Sequence, residues 1–177
     1  MKKIGINLEK TILKEIKEII THPLIEESKM FQERYDTDEK ISFCISYFDH
    51  WLNDNELENA ITFFDQEGSN NDFYQSYFDY ENKIIDFFID RYNHQDIFIF
   101  SDHGKNSSIF EFNNVEDLEC VTKLILRSDL MPINIYIRNY KAIFYSQTDL
   151  TWSVISIYSR VIKIKNLIKT YKINILE

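Results

Sequence analysis

The fold is decided by residues 133–158, which read INIYIRNYKAIFYSQTDLTWSVISIY. Apolar side chains fill three runs, at residues 133–137, 142–146 and 151–158, and isoleucine alternates with polar residues in the first of them. This period of two is typical of a β-strand, and the short polar segments between the runs are suited to turns. The stretch therefore predicts a three-stranded antiparallel meander.

Three more runs, nearer the start of the chain, also have the character of strands. Residues 97–100 and 108–112 are apolar and flank a polar loop, which predicts a hairpin. Residues 41–47 alternate strictly, which places the apolar side chains on one face and Cys44 with two serines on the other. We therefore expect a strand there as well.

Helical periodicity is present between and around these strands. Apolar residues recur at three- and four-residue steps from a candidate cap at Asn7 as far as His22-Pro23. Further helical segments are predicted from Asp54 to Gly68, at residues 80–92, after a cap at Asn113 or Asn114, and at residues 160–171.

Strands that cluster in the second half, with helices at the start, middle and end, predict one α+β domain over residues 1–177. Its sheet is expected to be mostly antiparallel, formed by the hairpin and the meander in the C-terminal half and covered by helices. Within the helices, the spacing predicts Leu124 on a buried face and Glu81 at the surface.

The composition excludes several classes of site. Three glycines and two prolines in 177 residues leave no phosphate-binding GxxxxGK[ST] loop, no GxGxxG turn and no GxSxG elbow. Two cysteines, Cys44 and Cys120, lie among apolar residues, which favours buried, reduced thiols and a cytoplasmic location over a disulfide framework. Neither a targeting peptide nor a run of 18 apolar residues is visible, so we expect no membrane association. No ligand spacing joins the histidines and cysteines, and we expect no metal and no cofactor.

Charge is distributed unevenly along the chain. Residues 36–120 carry four Lys or Arg and twenty Asp or Glu, a local charge of −16, whereas residues 121–177 carry nine basic and three acidic residues. Such a segment repels itself unless the basic C-terminal segment packs against it or a cationic partner binds. Phosphate contacts need Lys and Arg, so the segment favours a basic protein over nucleic acid as its partner. A merely solubilising role for the acids is the alternative.

Two local constellations stand out. The loop Ser101-Asp102-His103-Gly104 follows a strand and could present an acid and an imidazole, although the same residue types are usual in a turn. Tyrosines and carboxylates alternate at residues 72–81, a combination suited to binding a basic protein, although an ordinary aromatic core stripe explains it equally well.

The second half of the chain, roughly residues 95–177, resembles small immunity proteins of bacterial contact-dependent growth inhibition and related polymorphic toxin systems. The likeness lies in the order and character of the elements: a hairpin, the helix opened by residues 112–118, and the meander that contains residues 133–137 and 149–154. The resemblance implies a cytoplasmic antidote that binds the C-terminal toxin domain of a large surface-delivered protein, often a nuclease, and occludes its active site or substrate groove. Such toxins are commonly basic where they meet nucleic acid.

The resulting hypothesis is a non-enzymatic immunity protein whose carboxylates and tyrosines bind a cationic toxin domain, with no direct contact to nucleic acid. A sheet edge that pairs with a toxin strand is a further possible mode. The predicted toxin-binding residues are Asp65, Glu67, Asp72, Tyr77, Asp79, Glu81, Asp102 and Glu111.

Two hypotheses from other classes remain open. The first is a small hydrolase or nucleotide-processing enzyme with its site around Asp102 and His103. The second is a regulator that binds nucleic acid through the basic helix at residues 160–171, which would weaken steeply with salt.

Overall fold

An antiparallel β-sheet is the centre of the structure, a computed structural model that describes residues 1–20, 40–53, 56, 71–94, 96–101, 108–127, 134–146 and 151–176. Within these residues the sheet has eight strands, in the order β1-β4-β3-β5-β6-β7-β2-β8, and all neighbours are antiparallel. The strands are β1 (Lys2–Lys3), β2 (Lys40–Ser46), β3 (Ile97–Ser101), β4 (Ser108–Glu111), β5 (Asn134–Ile137), β6 (Ala142–Ser146), β7 (Thr151–Ile157) and β8 (Asn174–Leu176).

Four helices of more than one residue lie within the described ranges, and a single 3-10 turn, Arg138–Tyr140, joins β5 to β6. None of these helices combines the length and the apolar composition needed to cross a bilayer. The helices are α1 (Ile6–Ile19), α2 (Asn71–Asn93), α3 (Val115–Arg127) and α4 (Tyr158–Thr170).

The predicted α+β fold is confirmed, and so are the hairpin and the meander. In the meander, Ile135 of β5 lies opposite Phe144 of β6, which in turn lies opposite Val154 of β7. The hairpin of β3 and β4 joins the meander through β3, which pairs with β5. Strand β2 is also where it was predicted, and it lies between β7 and β8.

Both faces of the sheet are covered. One face packs against α2, α3 and α4 through a core that includes Phe87, Phe144 and Trp152. The other face packs against α1 through a second core that includes Ile12 and Tyr136. Because α1 covers the second face, β5 is buried along its whole length. The alternating pattern indicates that its polar positions face solvent, but these positions are buried as well.

The buried face of α3 differs from the predicted one. The Asn114 side chain caps this helix, since its Oδ1 accepts a hydrogen bond of 2.8 Å from the backbone N–H of Asp117. Leu118 and Thr122 are buried one turn apart, whereas the Leu124 side chain, on another side of the helix, is 58% exposed. The prediction of a buried Leu124 is therefore wrong. The buried side of α3 includes Thr122 and Ile125, and Leu124 lies on a side of the helix that faces solvent.

The predicted helix from Asp54 to Gly68 lies outside the described residues apart from Glu56, which has helical conformation. The loop at residues 102–107 also lies outside the described residues. Helix α2 is confirmed over residues 80–92 and begins nine residues earlier than that, at Asn71.

Leu118 and Leu124 offer a matched pair of substitutions within one helix. Leu118→Ala is expected to lower the free energy of unfolding by about 2–5 kcal/mol, because it leaves a cavity in the core. Leu124→Ala is expected to change it by no more than about 0.5 kcal/mol, because the side chain faces solvent. Urea unfolding followed by circular dichroism measures both values. Equal losses in the two variants would contradict this packing of α3.

Candidate functional site

The structure describes only part of the predicted toxin-binding set. Asp65, Glu67 and Asp102 lie outside the described residues, and so does His103 of the alternative catalytic site. Asp72 belongs to the first turn of α2, but its side chain is not among those described. The arrangement of Tyr77, Asp79, Glu81 and Glu111 can therefore be compared with the prediction.

Tyr77 and Glu81 are buried, which corrects the prediction of Glu81 at the surface and, for Tyr77, agrees with the alternative of an aromatic core stripe rather than with toxin binding. The Glu81 carboxylate accepts hydrogen bonds from Arg127 of α3, at 2.6 Å from Nη2 and 2.7 Å from Nε. The Tyr77 hydroxyl donates to the backbone oxygen of Leu126 at 3.2 Å and lies 3.4 Å from Glu81 Oε2. Positions 77 and 81 are one helical turn apart and share the inward side of α2 with Ile84, so both side chains hold α2 to α3.

Burial has a direct effect on the Tyr77 hydroxyl. Burial raises the pKa of Tyr77 well above its usual value, and the neighbouring Glu81 charge raises it further, while Arg127 acts in the opposite direction. The hydroxyl is therefore a neutral hydrogen-bond donor throughout the physiological range. Its role in the described structure is to connect two helices.

Asp79 is exposed, as predicted, and it belongs to a polar stripe along α2. The outward face of α2 consists of Gln75, Asp79, Asn82 and Asp86, which recur at three- and four-residue steps and are all exposed. Gln75 Nε2 donates to Asp79 Oδ1 at 3.1 Å. Neither Asp79 nor Asp86 forms an ion pair with any residue in the described ranges.

Glu111 is half-exposed and already has a cationic partner. Its Oε1 lies 2.8 Å from Lys2 Nζ, across the pairing of β1 with β4. The hydrogen bond and charge of Glu111 raise the pKa of Lys2. Glu111 also lies in β4, next to the β1 edge of the sheet, whereas α2 covers the sheet face. The structure therefore does not bring Glu111 and Asp79 into one cluster.

A groove of about 330 Å³ adjoins Asp79 at the β8 edge of the sheet. Its lining includes Tyr47, Asp79, Tyr80, Lys83, Lys172 and Asn174. The rings of Tyr47 and Tyr80 meet edge to face at 5.7 Å, and Asn174 Nδ2 donates to the Tyr47 backbone oxygen at 3.0 Å. One carboxylate faces two ammonium groups here, so the groove itself is mixed in charge rather than acidic.

Beside the groove, residues 47–53 form a loop that we name the aromatic loop. It begins where the Ser46 hydroxyl accepts a hydrogen bond from the Phe48 N–H at 3.1 Å, a local turn that serine favours. Ser46 is itself buried and hydrogen-bonded to Thr151 of β7 at 3.0 Å. The loop is thus fixed to the sheet at its first residues, and it presents Trp51 with 54% of the side chain exposed.

Two carboxylates accompany Trp51 on this loop and its continuation. His50 Nδ1 lies 2.7 Å from Asp49 Oδ1, and His50 Nε2 lies 3.3 Å from Glu56 Oε1. Glu56 and Asn53 also bond each other's backbone N–H groups, at 2.9 and 3.0 Å, in the reciprocal manner of a capping box. Hydrogen bonds to Asp49 and Glu56 raise the pKa of His50.

Neither the aromatic loop nor Asp86 was among the predicted toxin-binding residues. The loop had a signal in the sequence, because residues 47–51 read YFDHW at the end of a predicted strand, and tyrosine and tryptophan are enriched at the centres of protein interfaces. The expectation of two buried thiols is wrong for Cys120, which is exposed on α3, whereas Cys44 is half-buried. Among the described side chains, no three His, Cys, Asp or Glu residues form a group that could hold a metal ion.

Comparison with known proteins adds no relative: no family model, curated protein or solved structure matches this chain. The likeness to immunity proteins therefore stays a hypothesis. The exposed side chains of α2 and the aromatic loop are the observations on which a function can be argued.

Removal of Arg127 tests the buried carboxylate. Arg127→Met is expected to lower the free energy of unfolding by about 2–3 kcal/mol, because it leaves Glu81 buried without its cation. This loss is smaller than that expected for a fully buried ion pair, because the Arg127 side chain is 34% exposed. The double variant Glu81→Met/Arg127→Met is expected to recover much of this loss, since no unpaired charge remains. Lys123→Met, which removes an exposed pair with Glu119 on the same helix, serves as the control in urea unfolding. A double variant as unstable as Arg127→Met would contradict the interpretation.

The aromatic loop makes a prediction about His50. Asp49→Asn is expected to lower the His50 pKa, measured by NMR titration of the imidazole protons, because the strongest hydrogen bond to the charged ring is lost. Because the His50 pKa is raised in the folded state, the charged imidazole stabilises the folded protein. This contribution is complete at a pH below the unfolded-state pKa of the histidine and is lost as the pH rises through its folded-state pKa. Asp86→Asn removes the same charge elsewhere and is expected to leave the titration unchanged. An unchanged midpoint in Asp49→Asn would exclude the contact.

Proposed function

We propose that this chain is a non-enzymatic immunity protein of a bacterial contact-dependent growth inhibition or related polymorphic toxin system. It binds the C-terminal domain of the cognate toxin, a nuclease with a cationic surface, in the cytoplasm and occludes the active site. The observation that carries the proposal is a pair of exposed carboxylates without an ion-pair partner in the described ranges, Asp79 and Asp86, on the outward face of α2, beside the aromatic loop that exposes Trp51.

The two parts of this surface are adjacent because Tyr47 joins them. Tyr47 is the first residue of the aromatic loop, its ring touches Tyr80 of α2, and it lines the same groove as Asp79. Tyrosine and tryptophan are common at the centres of protein interfaces, since they bury a large area at a small entropic cost. Carboxylates at the rim accelerate association with a basic partner.

Internal pairing selects which acids are left for a partner. Several acids of the central segment are neutralised within the chain: Glu81 by Arg127, Glu111 by Lys2, and Asp117 by the N-terminal ammonium group at 2.6 Å. Asp79 and Asp86 have no such partner in the described ranges. The proposed toxin-binding surface therefore depends on these two residues rather than on the −16 charge of the whole segment.

The β8 edge offers a second contact next to the groove. Within the described residues, β8 pairs with β2 on one side and has no strand on the other. A strand of the toxin could add to this edge, as extended peptides do at other exposed sheet edges. Lys83 and Lys172 in the groove would then face acidic or carbonyl groups of the partner, which makes the recognition mixed in charge.

The enzymatic hypothesis has no supporting observation in the described structure. Asp102 and His103 lie outside the described residues, so an enzymatic site there stays a prediction. In α4, Lys165 lies over the ring of Phe43 at 4.8 Å, and this contact leaves fewer basic groups for a nucleic acid.

Co-expression with the C-terminal domain encoded by the neighbouring reading frame tests the proposal. Growth arrest by that domain alone, relieved by this chain through a stable complex, is the expected outcome. A neighbour that neither arrests growth nor binds the chain would contradict the proposed function.

Charge reversal then tests the surface. Asp79→Lys/Asp86→Lys is expected to slow association with the toxin domain about tenfold or more at low ionic strength, measured by stopped-flow or surface plasmon resonance. Glu18→Lys reverses an exposed charge on α1, on the opposite face of the sheet, and is expected to change the rate about twofold at most. Trp51→Ala is expected to raise the dissociation rate. Tight binding with no response to any of these substitutions would place the toxin on another surface while leaving the function intact.

A further inference from the structure

A second pocket, of about 290 Å³, lies at the C-terminal end of α2, about three helical turns beyond Asp79. The last turn of α2, the 3-10 turn and the first two turns of α4 form it. Its lining includes Arg91, His94, Asp96, Tyr140, Arg160 and Lys163, and we name it the cationic pocket. The concentration of basic groups is notable in a chain with a formal charge of −9.

Two of the cations have no counter-charge in the described structure. Arg160 and Lys163 lie three residues apart on α4, so their side chains extend from one side of the helix. Neither forms a hydrogen bond or an ion pair with any described residue. Helix α4 begins at Tyr158, and no side chain caps its first backbone N–H groups. The positive end of the helix dipole therefore adds to the positive potential of the pocket.

Arg91 brings a third cation to the pocket, and it is held in place. The residue is only 7% exposed, and its guanidinium donates from Nη1 to the Tyr140 hydroxyl at 3.3 Å and lies over the Tyr140 ring. Nη2 pairs with Asp90, while Nε has no hydrogen-bond partner among the described residues. Asp90 thus offsets the charge of Arg91 but leaves part of its hydrogen-bonding capacity unused.

Asp96 is the one carboxylate in the lining, and it does not cancel the cations. It is buried and accepts a hydrogen bond from the Asn139 side-chain amide. Burial raises its pKa, an effect that the nearby Arg91 opposes. With Asp90 and Asp96 both ionised, the three cations Arg91, Arg160 and Lys163 still leave a net charge of +1, and protonation of Asp96 increases it.

We propose that the cationic pocket binds the phosphoryl group of a small ligand, with Arg160 and Lys163 as the charged contacts and Tyr140 as a hydrogen-bonding partner. Arginine and lysine side chains that converge beside the start of a helix are the usual means by which proteins bind phosphate. The volume lies at the lower end of the range of small-molecule sites, so the ligand is a phosphomonoester or the free ion rather than a nucleic acid. This site is independent of the toxin-binding surface.

The test uses the full chain and two probes, inorganic phosphate and glycerol 3-phosphate. Each is titrated against the ¹⁵N-labelled protein at constant ionic strength, with sodium chloride as the reference salt. The expected result is saturable shifts of the amides of His94, Asn139 and Arg160 with one probe or both. Stronger binding of glycerol 3-phosphate identifies a phosphomonoester as the ligand type, and stronger binding of inorganic phosphate identifies the free ion. Shifts that are linear in concentration and equal to those with chloride would overturn the proposal.

Variants assign the binding to the pocket. Arg160→Gln/Lys163→Gln is expected to weaken phosphate binding about tenfold or more, because two charge-assisted contacts are lost. Lys14→Gln/Lys17→Gln removes the same charge from two exposed positions three residues apart on α1, on the opposite face of the sheet, and is expected to leave the affinity within about twofold. Both pairs are at the surface or nearly so, and circular dichroism checks that the variants fold. Equal weakening in the two variants would show a general charge effect and would also overturn the proposal.

Discussion

The packing of α2 on the meander is the constraint on which the rest of the structure depends. Phe87 and Phe88 both meet Phe144 of β6 at 5.5 Å between ring centroids, and Phe88 meets Trp152 of β7 at 5.6 Å. Aromatic rings of this size bury much of the apolar area of the core and prefer such tilted or edge-to-face contacts. Once these rings are fixed, the rotation of α2 about its axis is fixed as well.

That rotation determines what each acid of α2 can do. Glu81 turns toward α3 and meets Arg127, Asp79 and Asp86 turn toward solvent, and Arg91 turns toward Tyr140 at the far end. One helix therefore holds a buried ion pair, an acidic outer face and one side of a cationic pocket. These three features lie on different sides or ends of α2 because the helix repeats every 3.6 residues, although the charged residues that form them are mixed along the sequence.

A comparable arrangement holds α1 on the opposite face of the sheet. Burial disfavours the charged form of Glu15, but hydrogen bonds from Arg138 at 2.9 Å and from the Tyr136 hydroxyl at 3.0 Å, with Lys141 at 3.6 Å, outweigh it and lower the pKa of Glu15. The 3-10 turn thus contributes Arg138 to one face of the sheet and Tyr140 to the other. The two faces are connected through three consecutive residues.

Six of the eight described strands were predicted from the sequence, among them β2 with its period of two, whereas β1 and β8, of two and three residues, are too short to show a pattern. The functional surface was less predictable. Glu81 has the polarity of a surface residue, and its buried carboxylate is paired with Arg127 across the two helices, a contact 46 residues away in sequence. Leu124 is as apolar as Leu118, and local spacing alone does not indicate which side of α3 meets the sheet. The aromatic loop follows a strand end, where the alternating pattern no longer applies.

The position of β2 has a consequence for how the chain reaches this fold. Cys44 contacts Ser153 across 109 residues, and Asn174 contacts Tyr47 across 127. During synthesis, β2 emerges long before either of its neighbours, so its apolar face stays without a partner until β7 and β8 have followed. Contacts of such long range slow folding, because the entropy of a large loop must be lost before they form. We expect the hairpin and the meander to assemble first, and the insertion of β2 to complete the sheet as the late, rate-limiting event.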